Sequence, residues 1–191
     1  MVDYRSQPRP ATRPGSRRLL WFGHTTRGNF ESARWILDYL SSQYGYRPVL
    51  VTAPASMKHR YPTYAPYCVP WSIETLTREM AQAELCVVSH ATEEPTKSPN
   101  RFVTATMRGV PTIISNSPAC FEILQAAGHG EFAVANPSDL DRVLELLSNP
   151  ERRHSYVYAL QEEMWRRHGP DTVRQAYLDL FDKVLPSNSD Y

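Results

Sequence analysis

Residues 84–115 read ELCVVSHATEEPTKSPNRFVTATMRGVPTIIS, and this stretch decides the fold. Glu84 to Ser89 is short, β-branched and apolar on both faces, as a strand covered by helices must be. A polar loop from His90 to Pro99 then feeds a helix that begins at Asn100 and ends near Gly109. Pro111 to Ser115 follows as another apolar run. Strand, helix and strand in about thirty residues are the signature of a parallel βαβ unit.

The same alternation extends in both directions. Upstream, Arg18 to Gly23 reads as a strand, with Asn29 expected to cap a helix whose stripe is Phe30, Ala33, Leu37 and Leu40. That helix stops near Gly45. Pro48 to Ala53 and Tyr67 to Trp71 are further strand candidates, joined by a long irregular connection. Ser72 then caps a helix carrying Ile73, Leu76, Met80 and Ala83. Downstream come a helix around Phe121 to Ala127, a strand expected from Glu131 to Ala135, and a helix bearing Leu140, Val143, Leu144 and Leu147. Ser138 and Asp141 offer that last helix a capping box. Two closing helices are expected, Glu151 to His168 and one opened by Asp171. The face of Val173, Ala176, Tyr177, Leu180, Phe181 and Val184 on the second is expected to be buried. The fold class is therefore α/β, a parallel sheet of about six strands with a helical C-terminal tail.

Composition narrows the function. The 191 residues are 41% hydrophobic and 21% charged, which suits one globular domain. With 21 Lys and Arg against 20 Asp and Glu, the chain has no global field for nucleic acid or an anionic membrane. No apolar run approaches the roughly 18 residues of a membrane helix, and no leader pattern opens the chain, so a cytoplasmic protein with no membrane span and no nucleic-acid partner is expected. Cys68, Cys86 and Cys120 sit apart among apolar neighbours and read as free thiols. Residues 1–16 are rich in Pro and Arg and read as a flexible linker or tail. A Rossmann-like domain is assigned to 17–186 and a disordered terminus to 187–191.

In an open α/β sheet, ligands bind beyond the carboxyl ends of the strands, where helix N-termini favour anions. Three loops converge on that edge: Gly23-His24-Thr25-Thr26-Arg27-Gly28-Asn29, the segment around Val69-Pro70-Trp71-Ser72, and Glu93-Glu94-Pro95-Thr96-Lys97-Ser98-Pro99-Asn100-Arg101. They supply small residues, hydroxyls, cations and an aromatic ring, an inventory suited to a nucleoside diphosphate. The first loop has P-loop glycine spacing, but Asn29 and Phe30 stand where a phosphate-binding Lys and a Ser or Thr belong, which removes an ATPase. The three-glycine dinucleotide fingerprint and the Gly-x-Ser-x-Gly elbow are also missing. Asp139 and Asp141 form an Asp-x-Asp pair that local rules place in a first helical turn, where carboxylates complement the dipole. Trp21 and Trp35 read as core. His24 occupies the first loop, and His90 ends a strand at the same edge.

These segments, in order, resemble the nucleotide-binding C-terminal half of retaining, family-4-like GT-B glycosyltransferases. The resemblance runs from Arg17 to Leu185 through Leu19-Leu20-Trp21-Phe22-Gly23, Val69-Pro70-Trp71-Ser72, Lys97-Ser98-Pro99-Asn100-Arg101-Phe102, Gly109-Val110-Pro111-Thr112-Ile113-Ile114, Phe121-Glu122-Ile123 and Asn149-Pro150-Glu151-Arg152. It implies a UDP- or GDP-sugar donor, no cofactor and no metal. It also implies leaving-group stabilisation by Lys97, Arg101 and Arg27, and substrate contacts from Gly23, His24, Thr25, Val69, Trp71, Ser98 and Asn100. An N-terminal acceptor domain or partner protein is implied for the other side of the cleft. One departure stands out. Most family members have two glutamates eight positions apart, and here Thr96 and Thr104 stand in their places. The alternative is a non-catalytic module that keeps the fold, binding a nucleotide sugar or serving as a docking surface.

Overall fold

In a computed structural model of the protein, residues 9–12, 14–25, 28–90, 97–115 and 117–184 are described. The elements follow the chain as β1 (Arg18–Phe22), α1 (Asn29–Tyr44), β2 (Arg47–Thr52), α2 (Pro54–Arg60), β3 (Cys68–Pro70), α3 (Ile73–Gln82), β4 (Leu85–Ser89), α4 (Asn100–Met107), β5 (Thr112–Ser115), α5 (Pro118–Ala126), α6 (Pro137–Ser148), α7 (Pro150–His168) and α8 (Pro170–Val184). Short 3₁₀ turns cover Pro62–Tyr67 and Gly130–Phe132. The five strands are parallel in the order β3-β2-β1-β4-β5. The architecture is Rossmann-like, with a helical C-terminal tail.

The strand order has a mechanical consequence. The chain moves from β1 to β2 and β3, then returns past β1 to lay β4 on its other side. With right-handed crossovers, α1 lies on one face of the sheet and α3 and α4 on the other. Both faces are thus covered, and Leu19, Leu20, Trp21, Leu50, Val51 and the whole of β4 are buried, which explains strands apolar on both sides.

The structure departs from the sequence reading at several points. The run from Glu131 to Ala135 forms a 3₁₀ turn and a single bridge from Ala133 to Ile114, so the sheet has five strands among the described residues. Gly28, in the left-handed region at φ 71°, is the N-cap of α1, and Asn29 is its first helical residue. The box on α6 is built from Asn136 and Asp139: the Asp139 amide donates to Asn136 Oδ1 at 3.1 Å and the Ala135 amide to Asp139 Oδ2 at 3.0 Å. Asp141 instead accepts from the hydroxyls of Tyr39 (2.8 Å) and Tyr44 (2.6 Å). The apolar face of α8 was expected to be buried, and no residue of α8 is. Its neighbour in the fold is α7.

Where the sequence suggests a mobile linker, the described residues of the arm are tied down. The Thr12 amide donates to Gly109 O (2.8 Å), Gln161 Nε2 to Arg9 O (2.8 Å) and Arg153 Nε to Thr12 O (2.7 Å). Further on, the amides of Gly15 and Arg17 both donate to Glu84 Oε2 at 2.8 Å, and the Tyr46 hydroxyl donates to Glu84 Oε1 at 2.8 Å. Glu84 and Arg153 are buried, so each needs these partners to offset its lost hydration.

Candidate functional site

The strand order reverses between β1 and β4, and at such a switch point the loops leaving the two strands diverge and open a crevice. Arg101 spans it. Arg101 lies in the first turn of α4, and its guanidinium donates through Nη1 to Phe22 O at 3.3 Å and through Nη2 to Ser89 O at 2.5 Å. Those carbonyls are the last residues of β1 and β4. A third tie completes the corner, Ser89 Oγ donating to Asn29 O at 2.9 Å. The two central strands and the starts of α1 and α4 are thereby held as one unit.

Close approach at this corner depends on Gly23. Its φ of 144° is a conformation that L side chains rarely adopt, and a Cβ there would lie 3.2 Å from Arg101 Nη1. The guanidinium therefore lies against the backbone of the first loop. Its field reaches the interior: burial pushes the Cys86 thiol up to about 12 and that of Cys120 to about 11, with Arg101 pulling both back.

Among the described residues, neither α1 nor α4 has a side-chain N-cap. The dipoles of both helices make this edge positive. Lys97 is half-buried just ahead of α4, while Ser98 and Asn100 are exposed beside it. Pro99 precedes α4 without a capping hydrogen bond, and Thr104 Oγ1 donates to Asn100 O at 2.7 Å. His24 is exposed at the mouth and Thr25 is buried beneath it. Arg27, Glu93, Glu94 and Thr96 lie outside the described residues.

The other expected contacts lie further along the same edge. Val69 is half-buried inside β3, in register with Val51. Trp71, at 58% exposure, stands at the carboxyl end of β3, its amide donating to Thr52 O at 3.1 Å. The structure thus gathers Gly23 and Arg101 at one point, with Trp71 two strands away from β1 on the outer margin.

One pairing escaped the sequence reading. His90 is 1% exposed, and its Nδ1 is 2.9 Å from the hydroxyl of buried Ser117, the N-cap of α5. The two residues fix the exit of β4 to the entrance of α5 beneath the rim. Ser117 directly before Pro118 was the available signal, since Ser followed by Pro marks a helix start and helix starts collect at this edge.

Among the described residues no group of three His, Cys, Asp or Glu side chains gathers as metal ligands. Asp139 faces Arg142 (3.2 Å), while Asp141 faces two tyrosines. The three thiols are free, and no helix is long and apolar enough to cross a membrane among the described residues.

No protein-family model matches the sequence, and no curated protein is detectably similar to it. The likeness to solved structures is one of shape. The chain superposes on the crystal structure of TarM, a GT-B glycosyltransferase, with a TM-score of 0.64 over 95% of its own length at 10% identity. The fold is that of one GT-B half. The chain spans 38% of the length of TarM.

Proposed function

We propose that the chain is the donor-binding half of a glycosyltransferase, taking a sugar from a nucleoside diphosphate of the UDP- or GDP-sugar type. The observation that carries the reading is the meeting of Arg101, Gly23 and two helix N-termini at the β1–β4 switch point. The likeness of fold to TarM supports it. Departure of a nucleoside diphosphate develops negative charge on its oxygens, and preorganised cations and amides stabilise that charge without reorganising. Lys97, Arg101 and Arg27 are assigned to this work, Gly23 allows the diphosphate close to the backbone, and Trp71 and the Val69 backbone face the base. The acceptor side of the cleft is assigned to a second lobe or partner chain.

A non-catalytic reading draws on a different observation. The guanidinium of Arg101 already holds two strand-end carbonyls, and threonines replace the family's glutamate pair. In that reading Arg101 is a brace only.

Calorimetric titration of the full chain with UDP, GDP, their sugars and the matching monophosphates separates the two. Saturable binding that needs the second phosphate and weakens at least tenfold in both Lys97→Ala and Arg101→Ala is expected, tenfold corresponding to about 1.4 kcal/mol. Absence of saturable heat from every nucleotide, with the wild type folded by circular dichroism, overturns the donor-binding reading.

A further inference from the structure

We propose that Gln161 and the docked arm are positioning elements of the donor site: by tying the carboxyl end of α4 they fix where the first turn of that helix holds Arg101. The inference rests on the nucleotide reading of Arg101 and adds the regulation of that site. Gln161 lies in α7 and is 4% exposed, and its side-chain amide donates twice, to Arg9 O and to Thr106 O, both at 2.8 Å. One side chain therefore joins the arm, α4 and α7.

The arm finishes α4. Carbonyls at the end of a helix have no partner within it, and here the Arg9 amide donates to Met107 O at 3.3 Å and the Thr12 amide to Gly109 O at 2.8 Å. With eight residues, α4 is about 12 Å long and too short to hold its shape unaided. Burial of Phe102, Val103, Ala105 and Met107 seats it on the sheet, but that force is non-directional and fixes neither rotation nor slide along the axis. The directional ties are at the ends. Arg101 holds Phe22 O and Ser89 O on the crevice side, while the arm and Gln161 hold the opposite end. Two turns of helix move as one rigid piece, so a displacement at one end reaches the other.

The crevice has little tolerance for such a displacement. At 3.3 Å the bond from Arg101 Nη1 to Phe22 O is already at the long limit, and a small slide of α4 breaks it. Residues 9–12 are thus a strap whose release loosens Arg101 and with it the contact to the second phosphate. Linkage makes the effect mutual: a bound nucleoside diphosphate tightens the strap.

Two variants of the full chain test this. Gln161→Met keeps the shape of the side chain and removes its donor. Thr12→Pro removes one arm amide at a half-buried position and leaves α4 and α7 unaltered, so it folds even where the arm is released. In calorimetric titrations both should bind UDP and GDP at least about fivefold more weakly than the wild type, with UMP and GMP unchanged. The Gly23 amide resonance of the folded protein should also shift in both variants without any nucleotide, which a loss of stability alone does not produce. Because that readout needs no ligand, a wild type that binds no nucleotide fails the proposed function, while the Gly23 resonance still decides the link through α4. Equal losses for mono- and diphosphates overturn the proposal, as does a Gly23 resonance that stays in place in both variants.

Discussion

The Arg101 guanidinium lies against the backbone of Gly23, so closely that a single added methyl at position 23 would come within 3.2 Å of Nη1. The contact joins a residue of the first loop to one in the third across 78 positions of sequence. It makes the shape of the crevice depend on a side chain that is absent.

Gly23→Ala tests this dependence. The left-handed φ and the contact with Nη1 together should cost about 1–3 kcal/mol. The guanidinium is the flexible end of a side chain and can withdraw, so the variant should fold and melt several degrees lower, by differential scanning calorimetry. Gly23→Ala combined with Arg101→Ala should lose less than the sum of the single variants, because one contact is counted in both. Strict additivity would show that the two residues do not act on each other.

At Gly109 the consequence is harsher. With φ at 80°, a Cβ there would fall 2.1 Å from Pro10 O, a backbone atom that cannot withdraw without moving the arm. Gly109→Ala should detach residues 9–12, break the Thr12 amide bond to Gly109 O and expose the Arg153 guanidinium. The expected loss is about 3 kcal/mol in urea unfolding, as for other buried charges deprived of a partner. Hydrogen exchange at the Thr12 amide should accelerate at the same time. Unchanged protection there would contradict the docked arm.

Stability should fall at both ends of the pH scale through the Tyr46–Glu84 pair. Burial pushes the Glu84 carboxyl up, but the Arg17 and Gly15 amides, the Tyr46 hydroxyl and the Arg153 charge outweigh it and leave its pKa below the ordinary carboxylate value. A depressed folded-state pKa means stability that is present above the unfolded value of about 4.3 and lost as pH falls through the folded one. For Tyr46, burial and then the hydrogen bond to Glu84 raise the phenol. That stability is complete below the unfolded value of about 10 and lost as pH rises through the folded one. Glu163, held down to about 2 by Arg166 and Arg167, adds to the acid limb. Glu84→Gln turns an amide NH₂ or a neutral oxygen toward the two backbone donors. It should cost about 2 kcal/mol at neutral pH and flatten the acid limb in pH-dependent urea titrations. An acid limb unchanged in this variant would place the coupling elsewhere.

Much of the fold was legible because its signals are local. β4 and β5 announce themselves through β-branched runs bounded by polar turns, and α3 through Ser72, whose side chain accepts from Thr75 N at 3.0 Å. The misreadings came from non-local causes. Ala133 has the composition of a strand, yet the 3₁₀ turn at Gly130–Phe132 leaves it one bridge to Ile114. The arm carries prolines and arginines that read as linker, and what holds it, Gly109, Gln161 and the buried Glu84 and Arg153, lies many positions away. At the crevice, the sequence marked Arg101 as a cation near a helix start. It held no indication that the guanidinium reaches the ends of both central strands, because that depends on strand order.

The margins of the sheet have a further effect. On one side β3 is three residues long and ends in Pro70, which has no amide hydrogen to offer an incoming strand. On the other, the Val134 amide donates to Ile114 O at 2.9 Å and occupies the outer rail of β5. Each margin thus offers an incoming strand a broken ladder, which disfavours lateral growth into fibrils while the fold is intact.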